Sequence, residues 1–363
     1  MILSEDTIQA MPLPITLCII NHNGARYLID ALQAAMTQSE GFAEILLVDN
    51  ASTDGGPEIA RTHFPQVRVV ALNDNKGPGA ARNAGLRAAS CDLILFQDND
   101  VRLQPGCAAL LHSVLLHQTR ALLVAPRVVY ERNPDVIQYD SADCHFLGLM
   151  ALRNANRVSA ETASISGPTS SLVTACFLID RRRWPGAQLF DEDFVFNLED
   201  HDFGVRANLQ GLETWIEPRA IVSHGEGTPD LSYRPGYAVP ARRMYYLIHN
   251  RWLIIGKSYA PRTLVLLSPV LLLYELFQLV GLIRRGWLDQ WWRALRSLVR
   301  NLPRLRQKRA AVQSTRVVPD RQLLRGGPLP FTVAVRTGRI EKAAVALFEC
   351  VANGYWTIVR TFI

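Results

Sequence analysis

The chain has 363 residues, of which 48% are hydrophobic and 20% charged, a composition that excludes a disordered protein and supplies enough apolar side chains for a core. The net charge of +6 is local, because residues 284–325 hold twelve basic side chains against two acidic ones. Among those charges only Trp287, Trp291 and Trp292 offer stacking surfaces, so the pattern disfavours nucleic acid and favours a lipid headgroup layer.

The six cysteines are scattered, with no CxxC pair and no zinc spacing, so we expect small buried side chains in a reducing compartment. The first fourteen residues lack a basic segment followed by an apolar one, and we expect no export. The length favours one large domain, which we place at 1–240, and a helical C-terminal region at 241–363.

Short β-rich runs alternate with helical patterns in the first hundred residues, which is typical of a parallel sheet with crossover helices. The predicted strands are 15–20, 44–48, 67–71 and 93–96, and the predicted helices are 25–38, 56–63 and 79–89. Polar residues gather directly after the strand ends. Ligands of open α/β sheets bind at that carboxyl edge, so we expect a site there.

The pattern from 101 to 229 is mixed, with predicted helices at 105–116 and 199–210 and strands at 122–126, 171–179 and 215–222. The loops of residues 127–170, which include Asp140, Asp143 and His145, are expected to shape the choice of substrate.

An almost wholly apolar segment, 263–283, has the length of a bilayer core. Pro269 and Glu275 interrupt it, which leaves a spanning helix, an in-plane or re-entrant helix and an ordinary buried helix as alternatives. Residues 339–363 predict an amphipathic helix.

An acidic motif, Asp98-Asn99-Asp100, follows the predicted strand 93–96. Two carboxylates on one tight turn can share a hard divalent cation, and such a cation would neutralise a diphosphate. For this motif alone, a solvated acidic turn is the alternative.

Further candidates lie about a hundred residues along the chain. Glu199, Asp200 and Asp202 begin a predicted helix, and three acids among four residues exceed what helix capping requires. One of them can serve as a general base. His224 follows the strand 215–222, where it is either a structural histidine or a further metal ligand.

Two polar clusters complete the predicted site. Asp49 follows the strand 44–48, and its carboxylate can accept the imide N–H of uracil or thymine. Residues 73–83 supply glycines, a helix N-terminus and the basic Lys76 and Arg82, which can approach a diphosphate or its sugar.

Taken in order, these segments resemble the family 2 glycosyltransferases with the GT-A fold, especially the branch of rhamnosyl- and galactofuranosyltransferases. The resemblance covers about Ile15 to His224. The matching segments are TLCIINHNG, LLVDNASTDGG, NDNKGPGAARNAG, LILFQDND, TACFLIDRRRW with LFDEDF, LEDHDFGVRA and VSHGEG.

This resemblance implies a mixed, mostly parallel sheet flanked by helices, and a transfer that inverts the sugar's configuration. It implies Asp200 as the base, supported by Glu199 and Asp202, and Mn²⁺ or Mg²⁺ held by Asp98 and Asp100 with His224. Asp49 then resembles the carboxylate that recognises the base. The implied donor-binding residues are Asn21, Asp49, Asn50, Ser52, Lys76, Gly77, Arg82, Asn83, Asp98 and Asn99.

The implied partners are a UDP- or dTDP-sugar, a glycan or polyprenyl-linked acceptor, and the cytoplasmic face of a bacterial inner membrane, with no nucleic acid. Residues 245–252 resemble a YYxxRN stretch of this branch, with His249 in place of the usual arginine. Two alternatives stay open. A nucleotidyltransferase would need a glycine-rich loop with a basic residue after the first strand, where this chain offers Gly24 and Arg26. The other is an inactive membrane-anchored scaffold that binds sugar or lipid.

Overall fold

The computed structural model describes residues 12–225, 240–330 and 338–363. The first residues of the chain, on which we based the expectation of no export, lie outside these ranges, as does the end of the SHGEG motif. The proposed division of the chain at residue 240 stays a prediction.

The strands are β1 (Leu13–Asn21), β2 (Phe42–Asp49), β3 (Arg68–Ala71), β4 (Leu93–Asp98), β5 (Val101–Leu103), β6 (Ala121–Tyr130), β7 (Asn133–Tyr139), β8 (Ala142–His145), β9 (Met150–Leu152), β10 (Gly167–Thr169), β11 (Cys176–Asp180), β12 (Glu213–His224) and β13 (Leu324–Arg325). The helices are α1 (Ala25–Met36), α2 (Gly56–His63), α3 (Pro78–Ala88), α4 (Cys107–His117), α5 (Glu199–Leu209), α6 (Ala241–Ser258), α7 (Pro261–Arg284), α8 (Leu288–Arg300), α9 (Leu302–Ser314), α10 (Asp320–Leu323) and α11 (Arg339–Val359).

A ten-stranded mixed sheet occupies the centre of the described residues, in the order β10-β12-β6-β11-β4-β1-β2-β3, with β5 on β12 and β7 on β6. Strands β3, β2, β1 and β4 are mutually parallel, as are β6 and β12, while β11 lies antiparallel between the two groups. The predicted mixed, mostly parallel sheet is therefore confirmed. The carboxyl ends of β1, β2, β4, β6 and β12 share one edge.

Side-chain alternation along the strands supplies both faces of the sheet with apolar residues. On β1, Leu17 packs in a core shared with α1, α2 and α4, whereas its neighbour Cys18 packs on the other face with α3 and α5. Cys18, Cys107, Cys144 and Cys176 are buried as expected, but Cys350 is exposed.

The predicted strand 171–179 is wrong in its first half, because the strand covers Cys176–Asp180 and the preceding residues form a loop. Ser171 in this loop bonds through Oγ with His201 Nδ1 at 2.6 Å. Gly204 lies against the same loop, and a Cβ there would stand 2.7 Å from Leu172 N. Close packing against α5 thus replaces strand pairing in this stretch.

The C-terminal helices are joined to one another by polar contacts as well as apolar ones. Glu275, the charge within the apolar segment, accepts hydrogen bonds from Arg251 and from Trp252 Nε1, the latter at 2.9 Å. Because Arg251 is buried on α6, this contact satisfies a charge on each helix and fixes α7 against α6.

Helix α7 is long and apolar enough to cross a bilayer, and an 18-residue window within it has a mean hydropathy of 1.9 and is 22% buried. The alternative of an ordinary buried helix is therefore disfavoured. Helix α11 packs antiparallel on α7 through Phe277 and Phe348, whose rings are 5.0 Å apart. The outward side of α11 carries the apolar residues Ile340, Leu347, Val351 and Ile358 together with polar ones such as Lys342 and Thr357.

Part of the basic stretch 284–325 faces the protein rather than a lipid headgroup layer. Lys308 of α9 pairs with Asp191 and Asp193 of the loop before α5. Arg309 donates to the carbonyls of Gly256 and Tyr259 at 2.7 and 2.8 Å. These contacts dock α9 onto α6 and onto the sheet region.

Replacing Lys257 with Met tests the buried ion pair between α6 and α5. Lys257 Nζ lies 2.6 Å from Asp202 Oδ1, and their side chains are 2% and 0% exposed. The variant leaves Asp202 with Arg206 alone, so we expect the free energy of unfolding to fall by about 3 kcal/mol in urea titrations. Lys308→Met is the control, since Lys308 also contacts Asp191 but is 27% exposed. We expect it to cost about 1 kcal/mol or less. Equal losses in both variants would contradict the assignment.

Candidate active site

The predicted metal ligands Asp98, Asp100 and His224 meet at the carboxyl edge of the sheet because of the way β5 pairs with β12. β5 begins directly after the acidic turn and pairs antiparallel with β12, which sets His224 opposite Val101. Gly225 N also donates to Asp100 O at 2.8 Å. One ligand atom from each of Asp98, Asp100 and His224 lies within 4.8 Å of the others. Two carboxylates and an imidazole are thus brought together as the sequence predicted.

A hydrogen bond orients the His224 ring in this cluster. Its Nδ1 lies 2.7 Å from Gln138 Oε1, and its Nε2 lies 3.3 Å from Asp100 Oδ1. With Nδ1 as the donor to Gln138, Nε2 is the ring nitrogen that faces the carboxylates and takes up the proton when the ring becomes charged. Burial disfavours the imidazolium, but the charges of Asp100 and Asp98 outweigh it and raise the pKa of His224.

Arg82 lies at the centre of the site. It projects from α3, its side chain is 2% exposed, and its Nη2 pairs with Asp98 Oδ1 and donates to Thr174 O at 2.9 Å. Its Nη1 lies 3.8 Å from Glu199 Oε1. Burial raises the pKa of Asp98 to about 6, against the opposing effect of Arg82. Among the described residues, Arg82 Nε and Nη1 have no hydrogen-bond partner.

The acid pair Glu199 and Asp200 opens α5 beside Arg82. The chain enters the helix through Asn197 and Leu198, which have left-handed φ angles of 60° and 63°, and such angles are uncommon for residues other than glycine. Burial and then the charge of Asp200 raise the pKa of Glu199 to about 8, and burial also raises the pKa of Asp200. The pair therefore holds a proton at neutral pH.

Asp202, also predicted for this group, is not brought to the acid pair. It is fully buried and pairs with Arg206 at 2.7 Å and with Lys257. Because its carboxylate is paired with these two cations, Asp202 holds α5 in place.

A polar network follows the ends of β1 and β2. Asp49 Oδ1 accepts hydrogen bonds from Asn21 Nδ2 at 2.7 Å and from Ser52 Oγ at 2.6 Å. Asn21 Oδ1 accepts from Asn99 Nδ2 at 2.7 Å, which joins this network to the acidic turn. Four of the predicted donor-binding residues thus lie together.

Gly77 lies in the loop before α3, at a position that only glycine can occupy. Its φ is +91°, and a Cβ would stand 1.9 Å from Val195 O. Asn50 Nδ2 donates to Gly77 O at 3.3 Å, which places Asn50 beside this loop. Lys76 is exposed and pairs with Asp74 at 3.6 Å.

Asn83 requires a correction. Its Nδ2 donates to Phe190 O and Glu192 Oε1, and its Oδ1 accepts from the backbone N–H groups of Leu189 and Phe190. Both donors and both acceptor positions are occupied. Asn83 holds the loop before α5 against α3 and has no capacity left for a donor molecule.

Two functional candidates were missed by sequence reasoning. Gln138 lies on β7, a short strand with no clear alternation that we did not predict. Arg243 lies in the first turn of α6, where burial lowers its pKa although the charges of Asp200 and Glu199 oppose this. Nothing in the local sequence connects Gln138 with His224, or Arg243 with the acid pair.

The polar residues predicted in 127–170 form ion pairs and hydrogen bonds within the protein. Asp140 forms a buried pair with Arg127 at 2.8 Å, and Asp143 pairs with Arg153 at 2.6 Å. His145 is buried, and its Nε2 lies 3.3 Å from Gly327 O.

Comparison with known proteins gives a consistent picture. A family model described as "Glycosyl transferase family 2" matches residues 16–182. The chain is 36% identical over 92 residues to the succinoglycan biosynthesis protein ExoO of Rhizobium meliloti, a match that covers 25% of this chain and 26% of that protein. It is 28% identical over 204 residues to the N-acetylglucosaminyl-diphospho-decaprenol L-rhamnosyltransferase of Mycobacterium tuberculosis, a match that covers 50% of this chain and 66% of that protein.

Among solved structures, GalNAc-T7 with UDP, GalNAc and Mn²⁺ superimposes with a TM-score of 0.53. The two sequences are 14% identical, and the superposition covers 67% of this chain and 48% of the other. This similarity shows a shared fold.

Histidine titration by NMR in the metal-free protein tests the electrostatics of the site. We expect His224 to titrate above its ordinary pKa of 6.5, and Asp100→Asn to lower that pKa because it removes the larger of the two opposing carboxylate charges. His201 is the internal control, since burial lowers its pKa to about 4 in both proteins. An unchanged His224 pKa in the variant would contradict the contact with Asp100.

Proposed function

We propose that the chain, which has the GT-A fold, is a family 2 glycosyltransferase that moves a sugar from a UDP- or dTDP-sugar to a hydroxyl of an acceptor, with inversion at the anomeric carbon. The observation that carries this proposal is the position of Arg82. Its guanidinium contacts Asp98 on one side and Glu199 on the other. A candidate metal cluster and the acid pair that contains the candidate base therefore adjoin one buried cation.

The donor atoms of Asp98, Asp100 and His224 fit a divalent cation. Carboxylate oxygens suit Mg²⁺ and Mn²⁺, and an imidazole ligand favours Mn²⁺ of the two. The His224 tautomer set by Gln138 leaves Nε2 able to ligate. A cation bound here would neutralise charge that develops on the leaving nucleoside diphosphate.

Arg82 supplies the second part of the proposed donor site. Its Nε and Nη1 are buried donors with no hydrogen-bond partner among the described residues, which leaves them for diphosphate oxygens. Asp49 keeps an acceptor position on Oδ2, which takes one hydrogen bond, from Ser52 N at 3.0 Å. That position supports the proposal that Asp49 accepts the imide N–H of the base.

We assign the role of base to Asp200. Glu199, with a pKa of about 8, holds a proton at neutral pH and leaves the negative charge of the pair on Asp200. Burial raises the pKa of Asp200 toward the working range of a general base. As the acceptor oxygen attacks the anomeric carbon, Asp200 takes its proton and the bond to the diphosphate breaks.

The two alternatives find less support. Arg26, the basic residue after β1, lies over the ring of Tyr27 at 4.4 Å and shows no contact with the acidic turn among the described residues. An inactive scaffold does not account for buried, unsatisfied donors beside an acid pair.

We propose that the enzyme works at the cytoplasmic face of a bacterial inner membrane on a glycan or polyprenyl-linked acceptor. The bacterial relatives, one named for a decaprenol-linked acceptor, support this. So do the outward apolar residues of α7, including Leu272, Leu276 and Val280, beside those of α11. A contiguous apolar surface of this kind is typical of a membrane or protein contact.

Turnover of nucleotide sugars with Mn²⁺ or Mg²⁺ tests the site. We expect Asp98→Ala to abolish turnover because a metal ligand is lost, and Asp200→Asn to lower kcat roughly a hundredfold or more because the base is lost. Asp92→Asn, at the opposite end of β4, is the matched control and should stay active. Full activity of both site variants, or the same activity with EDTA, would refute the proposed mechanism.

Vesicle sedimentation tests the membrane surface. We expect the wild type to sediment with phosphatidylglycerol vesicles, and a Leu276→Glu/Leu347→Glu variant to bind at least about tenfold more weakly, because each buried leucine contributes roughly 1.5–3 kcal/mol. Leu116→Glu on α4 is the matched control, since Leu116 is similarly exposed. Equal binding of all three proteins would exclude this surface.

A further inference from the structure

A cavity of about 280 Å³ lies beside the proposed active site, between the loop before α5 and the helices α6, α8 and α9. Residues 191–195 line one wall, and Tyr245, Tyr246 and His249 of α6 line another. Its volume is just below the lower end of the range for small-molecule sites, which is about 300 Å³, so it fits one small polar group.

The hydrogen bonds around His249 determine what the cavity can bind. Asn250 Nδ2 donates both of its hydrogens, to Phe196 O at 2.9 Å and to Asn197 O at 2.7 Å. The amide is thereby oriented, and its Oδ1 lies 2.9 Å from His249 Nδ1. Because Oδ1 can only accept, His249 Nδ1 must donate. The ring is neutral, since burial lowers the pKa of His249.

His249 Nε2 is therefore an acceptor, and it is unsatisfied. The residue is 6% exposed and lines the cavity, yet Nε2 has no hydrogen-bond partner among the described residues. A buried acceptor without a partner costs about 1–3 kcal/mol, so it calls for a ligand that donates. A hydroxyl meets this requirement, whereas a fully ionised phosphate does not.

The charges around the cavity also fit a neutral ligand. Asp191 is paired with Lys257 and Lys308, and Asp193 with Lys308 and Arg304. These pairs balance one another, so the wall offers polar atoms without a large net charge. Tyr245 stacks on His249 with ring centroids 5.4 Å apart and supplies an aromatic surface.

The cavity and the proposed base share one segment of chain. Asn250 holds the carbonyls of Phe196 and Asn197, directly before the acid pair. On its other side the same loop touches the donor region, where Val195 O meets Gly77. A ligand in the cavity is thus held by the loop that also positions Asp200.

We propose that this cavity binds a neutral sugar residue of the acceptor, with a sugar hydroxyl that donates to His249 Nε2. This inference rests on the proposed glycosyl transfer and names the part of the acceptor that the enzyme recognises. His249 acts in binding, and the transfer itself remains with the acid pair.

Saturation-transfer NMR with methyl glycosides of glucose, galactose, N-acetylglucosamine and rhamnose tests the cavity in the wild type. We expect at least one glycoside to show contact, and its fully O-methylated derivative, which cannot donate, to show none. Equal contact by the O-methylated form, no contact by any glycoside, or displacement of the glycoside by inorganic phosphate would overturn the proposal.

Two variants sharpen the result. His249→Phe keeps a ring for Tyr245 but removes the acceptor, and should weaken glycoside binding roughly tenfold. His249→Gln retains an acceptor and should bind better than His249→Phe. His117→Phe, on α4 far along the chain from the cavity, is the matched control. Undiminished binding by His249→Phe would contradict the role of Nε2.

Hydrolysis of the nucleotide sugar separates this inference from the proposed function. Water replaces the acceptor in that reaction, so hydrolysis by the wild type reports on the donor site without the cavity, and the control His117→Phe should hydrolyse the donor at the wild-type rate. A wild type that binds glycosides but turns over no nucleotide sugar would refute the proposed function alone. Normal hydrolysis without glycoside binding would refute the cavity assignment alone.

Discussion

The buried guanidinium of Arg82 is the interaction on which the arrangement of the site depends. A desolvated cation requires nearby negative charge, and Asp98 and the acid pair of Glu199 and Asp200 provide it from elements about a hundred residues apart in the chain. Arg82 also binds Thr174 O, in the loop that α5 packs against. One side chain thereby connects the end of β4, the beginning of α5 and the loop before β11. With two of its donors still unsatisfied, it leaves the site prepared for an anion.

The crowding of acids around Arg82 explains the protonation of the site. Asp98, Asp100, Glu199 and Asp200 cannot all be ionised beside one arginine without strong repulsion, so protons remain bound near neutral pH. A divalent cation at the first two residues would relieve that repulsion. The proposed base, Asp200, would then be ionised more readily with the metal bound than without it, because the cation adds positive charge near its carboxylate.

Site residues such as Asp49 and Asp98 were predictable because a strand leads directly into them. The apolar run that predicts the strand and the polar motif that predicts the site are adjacent in the sequence. His224 was also predictable, since it ends a long strand. Gln138 and Arg243 were not, because their relevance depends on the pairing of β7 with β6 and on the docking of α6 against α5. The predictions for Asn83 and Asp202 failed for the same reason. Their positions in the motifs indicated a place in the site, but the hydrogen bonds of Asn83 and the ion pairs of Asp202 are made with other residues of the protein.

Helix α6 connects the proposed chemistry with the proposed membrane surface. Along its 18 residues, roughly 27 Å, Arg243 lies near the acid pair, Asn250 holds the loop before α5, and Lys257 pairs with Asp202. Arg251, on another side, pairs with Glu275 of α7. Because each contact joins buried charged or polar groups, α6 cannot shift without breaking several of them at once. An acceptor presented at the outward face of α7 would therefore meet a base and a sugar cavity held at a constant distance from the lipid.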